Sequence, residues 1–226
     1  MKALKSFTKF EWTLWGSSVV LILLSYLLFD RSSVLTLIAS LIGATSLIFC
    51  AKGNPFGQFL MVIFSILYGY ISFSFAYYGE MMTYVGMSGP MALYALISWL
   101  KNPYNGNKSE VKVNRLKPKE LAFMTVLALL VTFVFYFILK YFNTASLLPS
   151  TISVTTSFAA VYLSARRSPY FALVYAANDV VLIVLWVIAS FEDLSYVSVV
   201  VCFITFLAND SYSFFNWMKM QKRQQA

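Results

Sequence analysis

Eight apolar runs, each long enough to cross a bilayer as a helix, follow one another with little chain between them. They lie at residues 12–29, 34–51, 56–78, 81–100, 120–142, 147–164, 169–190 and 195–217. About 20 helical residues span the hydrocarbon core. In that solvent each backbone polar group must be bonded inside the protein, which restricts spanning structure to helices and closed barrels. Barrel strands alternate apolar and polar residues in segments of about ten, whereas these runs are continuous and about twice that length. The expected fold class is therefore an all-α polytopic membrane protein forming one integral membrane domain over residues 1–226. Composition agrees: 60% of the residues are hydrophobic and 12% charged, against about a quarter charged in soluble domains.

The net charge of +8 raises the possibility of a nucleic-acid partner, and the placement of the charges argues against one. Lys and Arg sit between the runs, where they encode topology. The N-terminus, the segments after spans two, four and six and the C-terminus carry 15 of the 17 basic residues. Arg31 and Lys140 stand on the opposite side with Asp30, Glu80, Glu192 and Asp193. This asymmetry predicts an even number of spans with both termini cytoplasmic. Residues 101–119, rich in Asn, Gly, Pro and Lys, read as a cytoplasmic linker, and 218–226 as a cytoplasmic tail. The N-terminal Lys2, Lys5 and Lys9 precede an apolar run too long for a signal peptide and lacking a small-x-small cleavage site, so span one is expected to be retained.

Histidine is absent, which removes Ser-His triads and His-based metal sites. Cys50 and Cys202 fall inside apolar runs and read as packing residues, since two cysteines do not define a disulfide. No glycine-rich phosphate loop occurs. No cofactor, no metal and no catalytic residue is expected.

A self-comparison shows a weak internal repeat. "CAKGNPFGQF" at 50–59 resembles "SARRSPYFAL" at 164–173, an offset of 114, and "SWLK" at 98–101 resembles "NWMK" at 216–219 after a four-residue slip. The expected units are three spans each, over 34–100 and 147–217, with span five (120–142) as linker and span one (12–29) as an extra helix. Four spans separate them, so they keep the same orientation, as parallel repeats whose substrate site lies near the midplane between them.

Polar residues inside the spans mark where such a site can be. Asn178 and Asp179 stand together in the apolar "FALVYAANDVVLIVLW" at 171–186. A carboxylate at mid-span costs roughly 2.5–3.5 kcal/mol on insertion scales, so it lines a cavity or meets a partner. Helical spacing puts Phe171, Tyr175, Asn178, Asp179 and Trp186 on one face. Span eight shows Asn209, Tyr212 and Asn216 in the same way, with Asp210 adjacent. Span three offers Gln58, Met61, Ser65, Tyr68 and Ser72, and span four Glu80, Tyr84 and Ser88, with Pro90 able to bend the helix. The offset maps Ser65 onto Asp179. Each polar group has a plainer reading: Asn178 and Asp179 as ties between helices, Glu80 as a helix-dipole partner, and Tyr70, Tyr77, Tyr78, Trp99 and Trp217 as interfacial aromatics. Acids, amides and aromatic faces together suit a small, flat, polar ligand carrying positive charge.

"YGEM" at 78–81, "SWLKNP" at 98–103, "YLSARR" at 162–167, "YAANDVVLIVLW" at 175–186 and "NDSYSFFNWMKMQKRQ" at 209–224, in this order, resemble the PnuC family of vitamin-precursor transporters. The resemblance covers nearly the whole chain from span two onward. It implies a three-plus-one-plus-three helix fold akin to the SWEET sugar transporters, and facilitated diffusion of nicotinamide riboside with trapping by cytoplasmic phosphorylation. Where family members often place a Trp before the Asn, this chain has Tyr175, with Asn178 or Asp179 in the polar position. The residues expected to bind substrate are Gln58, Tyr68, Ser72, Glu80, Tyr84, Phe171, Tyr175, Asn178, Asp179, Trp186, Asn209, Tyr212 and Asn216. Thiamine and riboflavin carriers are alternatives within the family. Outside it stand a binding subunit needing an energising partner and a membrane enzyme using Asp179 and Asp210 as a dyad. The expected partners are a cationic heteroaromatic vitamin, the lipid bilayer and further copies of the chain, as a homo-oligomer with a trimer preferred.

Overall fold

The computed structural model of the chain describes residues 7–31, 33–74, 78–144 and 146–226; Lys2, Lys5 and Tyr77 lie outside them. Helices α1 (Lys9–Phe29), α2 (Val34–Ala51) and α3 (Pro55–Ser74) come first. Next are α4 (Tyr78–Thr83) and α5 (Gly89–Lys101), joined without a break by a π-helical turn over Tyr84–Ser88. After strands β1 (Pro103–Tyr104) and β2 (Asn107–Val111) follow α6 (Pro118–Tyr141), α7 (Leu147–Ala165), α8 (Tyr170–Ser190) and α9 (Val197–Gln225). Seven of these helices are single α-helices long and apolar enough to cross a membrane. The remaining expected span, the fourth, is the composite helix 78–101, in which the Gly89 N–H reaches back to the Tyr84 carbonyl. Pro90 follows immediately in the first turn of α5. Proline has no N–H to donate, and a wide turn just before it relieves its ring clash with the preceding carbonyls.

Local chemistry sets the helix ends. Thr8 and Glu11 form a reciprocal capping box at the start of α1, and Ser33 accepts from the Thr36 N–H at the start of α2. Such caps satisfy amides left over in a first turn. Gly53, at φ 65°, ends α2 in a left-handed turn, and the Asn54 N–H returns to the Phe49 carbonyl. At the matching end of α7, Arg167 takes φ 58° and the Ser168 N–H returns to Leu163. The linker expected at 101–119 holds a short antiparallel hairpin. Asn105 and Gly106, both at positive φ, make its two-residue turn, as the Asn-Gly pair favours. The segment expected as a tail from 218 continues α9 to Gln225, because Met220 remains buried beside Val111 of β2.

Helix α3 packs on α2 and α5, and α8 packs on α7 and α9. The two groups meet where α5 lies against α7 and α2 against α9. Helix α1 covers α9 and α2 from outside, and α6 lies mainly against α7. Both outer helices present apolar faces outward, with Leu24 and Leu28 of α1 and Phe123, Val126 and Phe133 of α6 exposed. In a membrane those faces meet lipid.

Candidate functional site

Between the two groups of helices lies a small cavity of about 60 Å³. Every inner span contributes to it: Leu47 from α2, Phe64 and Ser65 from α3, Tyr84 and Ser88 from the π turn, Ala92 from α5, Ser157 and Val161 from α7, Tyr175, Asn178 and Asp179 from α8, and Phe206 and Asp210 from α9. Helices α1 and α6 contribute no lining residue among those described. Several linings pair at the repeat spacing, with Leu47 and Val161, Met61 and Tyr175, and Ser65 and Asp179 each 114 positions apart.

The polar groups in this cavity are held in different ways. Asn178 accepts at Oδ1 from the hydroxyls of Thr156 at 2.7 Å, Ser153 at 3.2 Å and Ser157 at 3.2 Å, all on α7. Its carbonyl oxygen is thereby consumed, and the amide nitrogen is what remains for a ligand. Asp179 of α8 and Asp210 of α9 are 3% and 2% exposed, and both line the cavity. Oδ2 of Asp179 and Oδ1 of Asp210 have no protein partner. Buried polar atoms are almost always paired, and these two carboxyl oxygens at the cavity wall are exceptions. The Tyr84 ring is backed by Tyr68, centroids 4.6 Å apart.

Toward the face bearing Glu192 the cavity continues. Tyr84, Ser88, Ser157 and Leu182 also line a second chamber with Glu80 and Trp186. Glu80, Leu185 and Trp186 lead on to a mouth of about 250 Å³ beside Asn143, Glu192 and Tyr196. Toward the basic face the way is closed by aromatic rings. Phe171 lies 4.9 Å from Trp217 and 6.2 Å from Trp99, and both indoles are fully buried.

The structure thus gathers only some of the expected residues. Tyr84, Tyr175, Asn178 and Asp179 meet in the central cavity, while Glu80 and Trp186 lie along the path to the mouth. Tyr68 and Ser72 are buried in α3 behind Tyr84. Gln58 donates to Ser164 Oγ at 3.0 Å, in the layer of the aromatic closure that contains Phe171. The α9 residues turn elsewhere. Asn209 donates to Ser18 Oγ of α1 at 2.9 Å, Tyr212 to Glu11 of α1 at 3.0 Å, and Asn216 to the Ala51 carbonyl at 2.8 Å. Their stripe serves α1 and the end of α2. Asp210, one position round the helix, is the α9 carboxyl that faces the cavity. Ser157 and the hydroxyls around Asn178 escape a search for acids and amides. The density of Ser and Thr in 150–157 was the available signal.

A family model described as nicotinamide mononucleotide transporter matches residues 33–219. The nicotinamide riboside transporter PnuC of Neisseria mucosa is 26% identical over 199 residues, covering 86% of this chain and 76% of that protein. The crystal structure of the vitamin B3 transporter PnuC superposes with a TM-score of 0.81 at 23% identity, over 97% of this chain and 94% of that one.

Proposed function

We propose, for a chain that belongs to the nicotinamide mononucleotide transporter family, that the solute carried is nicotinamide riboside, taken up by facilitated diffusion. The observation that carries this reading is the pair of unpartnered carboxyl oxygens in a cavity whose described lining contains tyrosine and phenylalanine rings and neither Lys nor Arg. A pyridinium ring between Tyr84 and Tyr175 gains stacking and a cation–π attraction of about 0.5–2 kcal/mol per face. The carboxyls answer its charge, the Asn178 amide its carboxamide, and Ser65, Ser88 and Ser157 its ribose hydroxyls. A phosphate in the same place would set like charges together without a compensating cation. The relative from Neisseria mucosa, whose name specifies the riboside, supports the same choice.

Access alternates in this reading. The outer path past Trp186 admits the riboside while Trp99, Trp217 and Phe171 close the cytoplasmic end. Rocking of the two three-span units about the cavity then exchanges the openings, and phosphorylation in the cytoplasm traps the product. The residue pairs spaced 114 apart around one cavity support a duplicated origin for the units. Both termini lie in the cytoplasm of a bacterial inner membrane, the copies assemble as a trimer, and the chain performs no catalysis. Thermal unfolding of the detergent-solubilised protein with nicotinamide riboside, its mononucleotide, thiamine and riboflavin tests the substrate. A ligand at about 100 times its Kd adds about 2.7 kcal/mol to the folded state. The riboside should stabilise most, and greater stabilisation by the mononucleotide would overturn the reading.

A further inference from the structure

We propose that the mouth beside Glu192 is a second binding site, where a cationic aromatic ring lodges before it reaches the central cavity. The proposal rests on the substrate reading above and deepens it, because it assigns the first selection for positive charge to residues outside that cavity. The walls of the mouth come from separate elements. Tyr78 and Glu80 belong to α4, Phe142 follows α6, Trp186 belongs to α8, and Glu192 and Tyr196 lie between α8 and α9. The rings form two pairs, Trp186 with Tyr196 at 5.2 Å and Tyr78 with Phe142 at 5.7 Å between centroids.

Among the described residues neither Glu80 nor Glu192 takes part in an ion pair, and neither Lys nor Arg lines the mouth. The two basic residues expected on this face are engaged elsewhere. Arg31 Nε donates to the Leu27 carbonyl at 2.6 Å, and Lys140 lies over the Tyr136 ring, 6.0 Å from its centroid. Aromatic faces attract a cation, and a cleft lined by charge of one sign concentrates ions of the other. The same acids repel a phosphate. Size points the same way. The mouth measures about 250 Å³, against about 30 Å³ for the chamber behind it and about 60 Å³ for the central cavity. The inner spaces hold a few waters and take a larger ligand only as the helices move, whereas the mouth has room for a pyridinium ring as it stands. A ligand held there touches both three-span units, since α4 belongs to one and α8 to the other.

Glu192 is exposed, so Glu192→Gln removes its charge without disturbing the packing. Uptake of nicotinamide riboside into liposomes by this variant should show a KM raised about two- to fivefold with the maximal rate unchanged, and Glu192→Lys should raise the KM further. A second measurement reads the mouth directly. Cys50 and Cys202 are buried, so Ala189→Cys, which lines the same mouth, offers an accessible thiol. In detergent it should react faster with a trimethylammonium methanethiosulfonate than with the sulfonate-bearing reagent, each rate taken relative to a free thiol in solution. Riboside should slow the reaction, and adding Glu192→Gln should shrink the preference for the cation. An unchanged KM in Glu192→Lys, or equal relative rates for the two reagents, overturns the mouth site, while stabilisation of the wild-type protein by riboside leaves the substrate reading standing. A wild-type protein that neither transports the riboside nor is stabilised by it overturns both.

Discussion

Trp99 and Trp217 close the basic end of the cavity by bonding across the two halves of the molecule. The Trp99 indole donates to the carbonyl of Ser164 at 2.8 Å, and the Trp217 indole to that of Cys50 at 2.8 Å. Their neighbours repeat the exchange, Ser98 donating to Ala165 at 2.7 Å and Asn216 to Ala51 at 2.8 Å. The four acceptors are carbonyls at the ends of α7 and α2, where the last turn of a helix leaves oxygens without intrahelical partners. Each composite closure is thus a C-terminal cap supplied by the other half, with the rings 5.3 Å apart at the seam.

Replacing either indole with Phe keeps most of the ring contact and removes the donor. Trp99→Phe and Trp217→Phe should each cost about 0.5–1.5 kcal/mol through one lost hydrogen bond, since the Arg167 N–H still reaches the Ser164 carbonyl and the Gly53 N–H that of Cys50, read as a lowered unfolding temperature in detergent. The two should cost nearly the same. A large loss for one and none for the other would show that the closure is carried by one half alone.

Glu11 is 1% exposed and receives Lys52 at 2.9 Å and Tyr212 at 3.0 Å. Removing it takes the carboxylate away from a lysine whose side chain is only 19% exposed. Glu11→Ala should destabilise the protein by about 3 kcal/mol, and adding Lys52→Met should recover part of that loss. Because α1 lines no part of the cavity, riboside uptake by the folded fraction in liposomes should be unchanged.

Gly57 sits where α2 and α3 touch, and a Cβ there would lie 2.6 Å from the Cys50 nitrogen and 2.7 Å from the Ser46 carbonyl oxygen. Backbone atoms cannot swing aside as a side chain can. Gly57→Ala should therefore cost about 1–3 kcal/mol by overpacking and reduce the yield of folded protein in a size-exclusion profile.

Asn178→Ala would leave three hydroxyls of α7 without their shared acceptor and remove the amide from the cavity. Trp186→Ala would open the path beside Glu80. Both proteins should remain folded and lose riboside uptake in liposomes; undiminished transport in both would take α8 out of the site.

Much of the architecture was readable before any coordinates. Each apolar run is helical over most of its described residues, because transfer of a segment into lipid depends on its own residues. Asn178 and Asp179 could be recognised as cavity or partner groups for the same reason, since their cost at mid-span is local. The polar stripe of α9 shows the limit. Spacing grouped Asn209, Tyr212 and Asn216 correctly on one face, but a helical wheel does not say which neighbour that face meets. Helix α1 meets it, and Ser18 and Glu11 take the hydrogen bonds otherwise open to a ligand.

Membrane crossing, the charge asymmetry of the loops and the need to partner each buried polar group all followed from the sequence alone, because each is set residue by residue against water or lipid. The tertiary structure decided which of those groups satisfy one another and which are left facing a cavity. That choice separates Asn209, bonded to α1, from Asp210 beside it, which lines the chamber. It arises from contacts between helices far apart in the chain, where one residue's rotation about a helix axis changes the partner entirely.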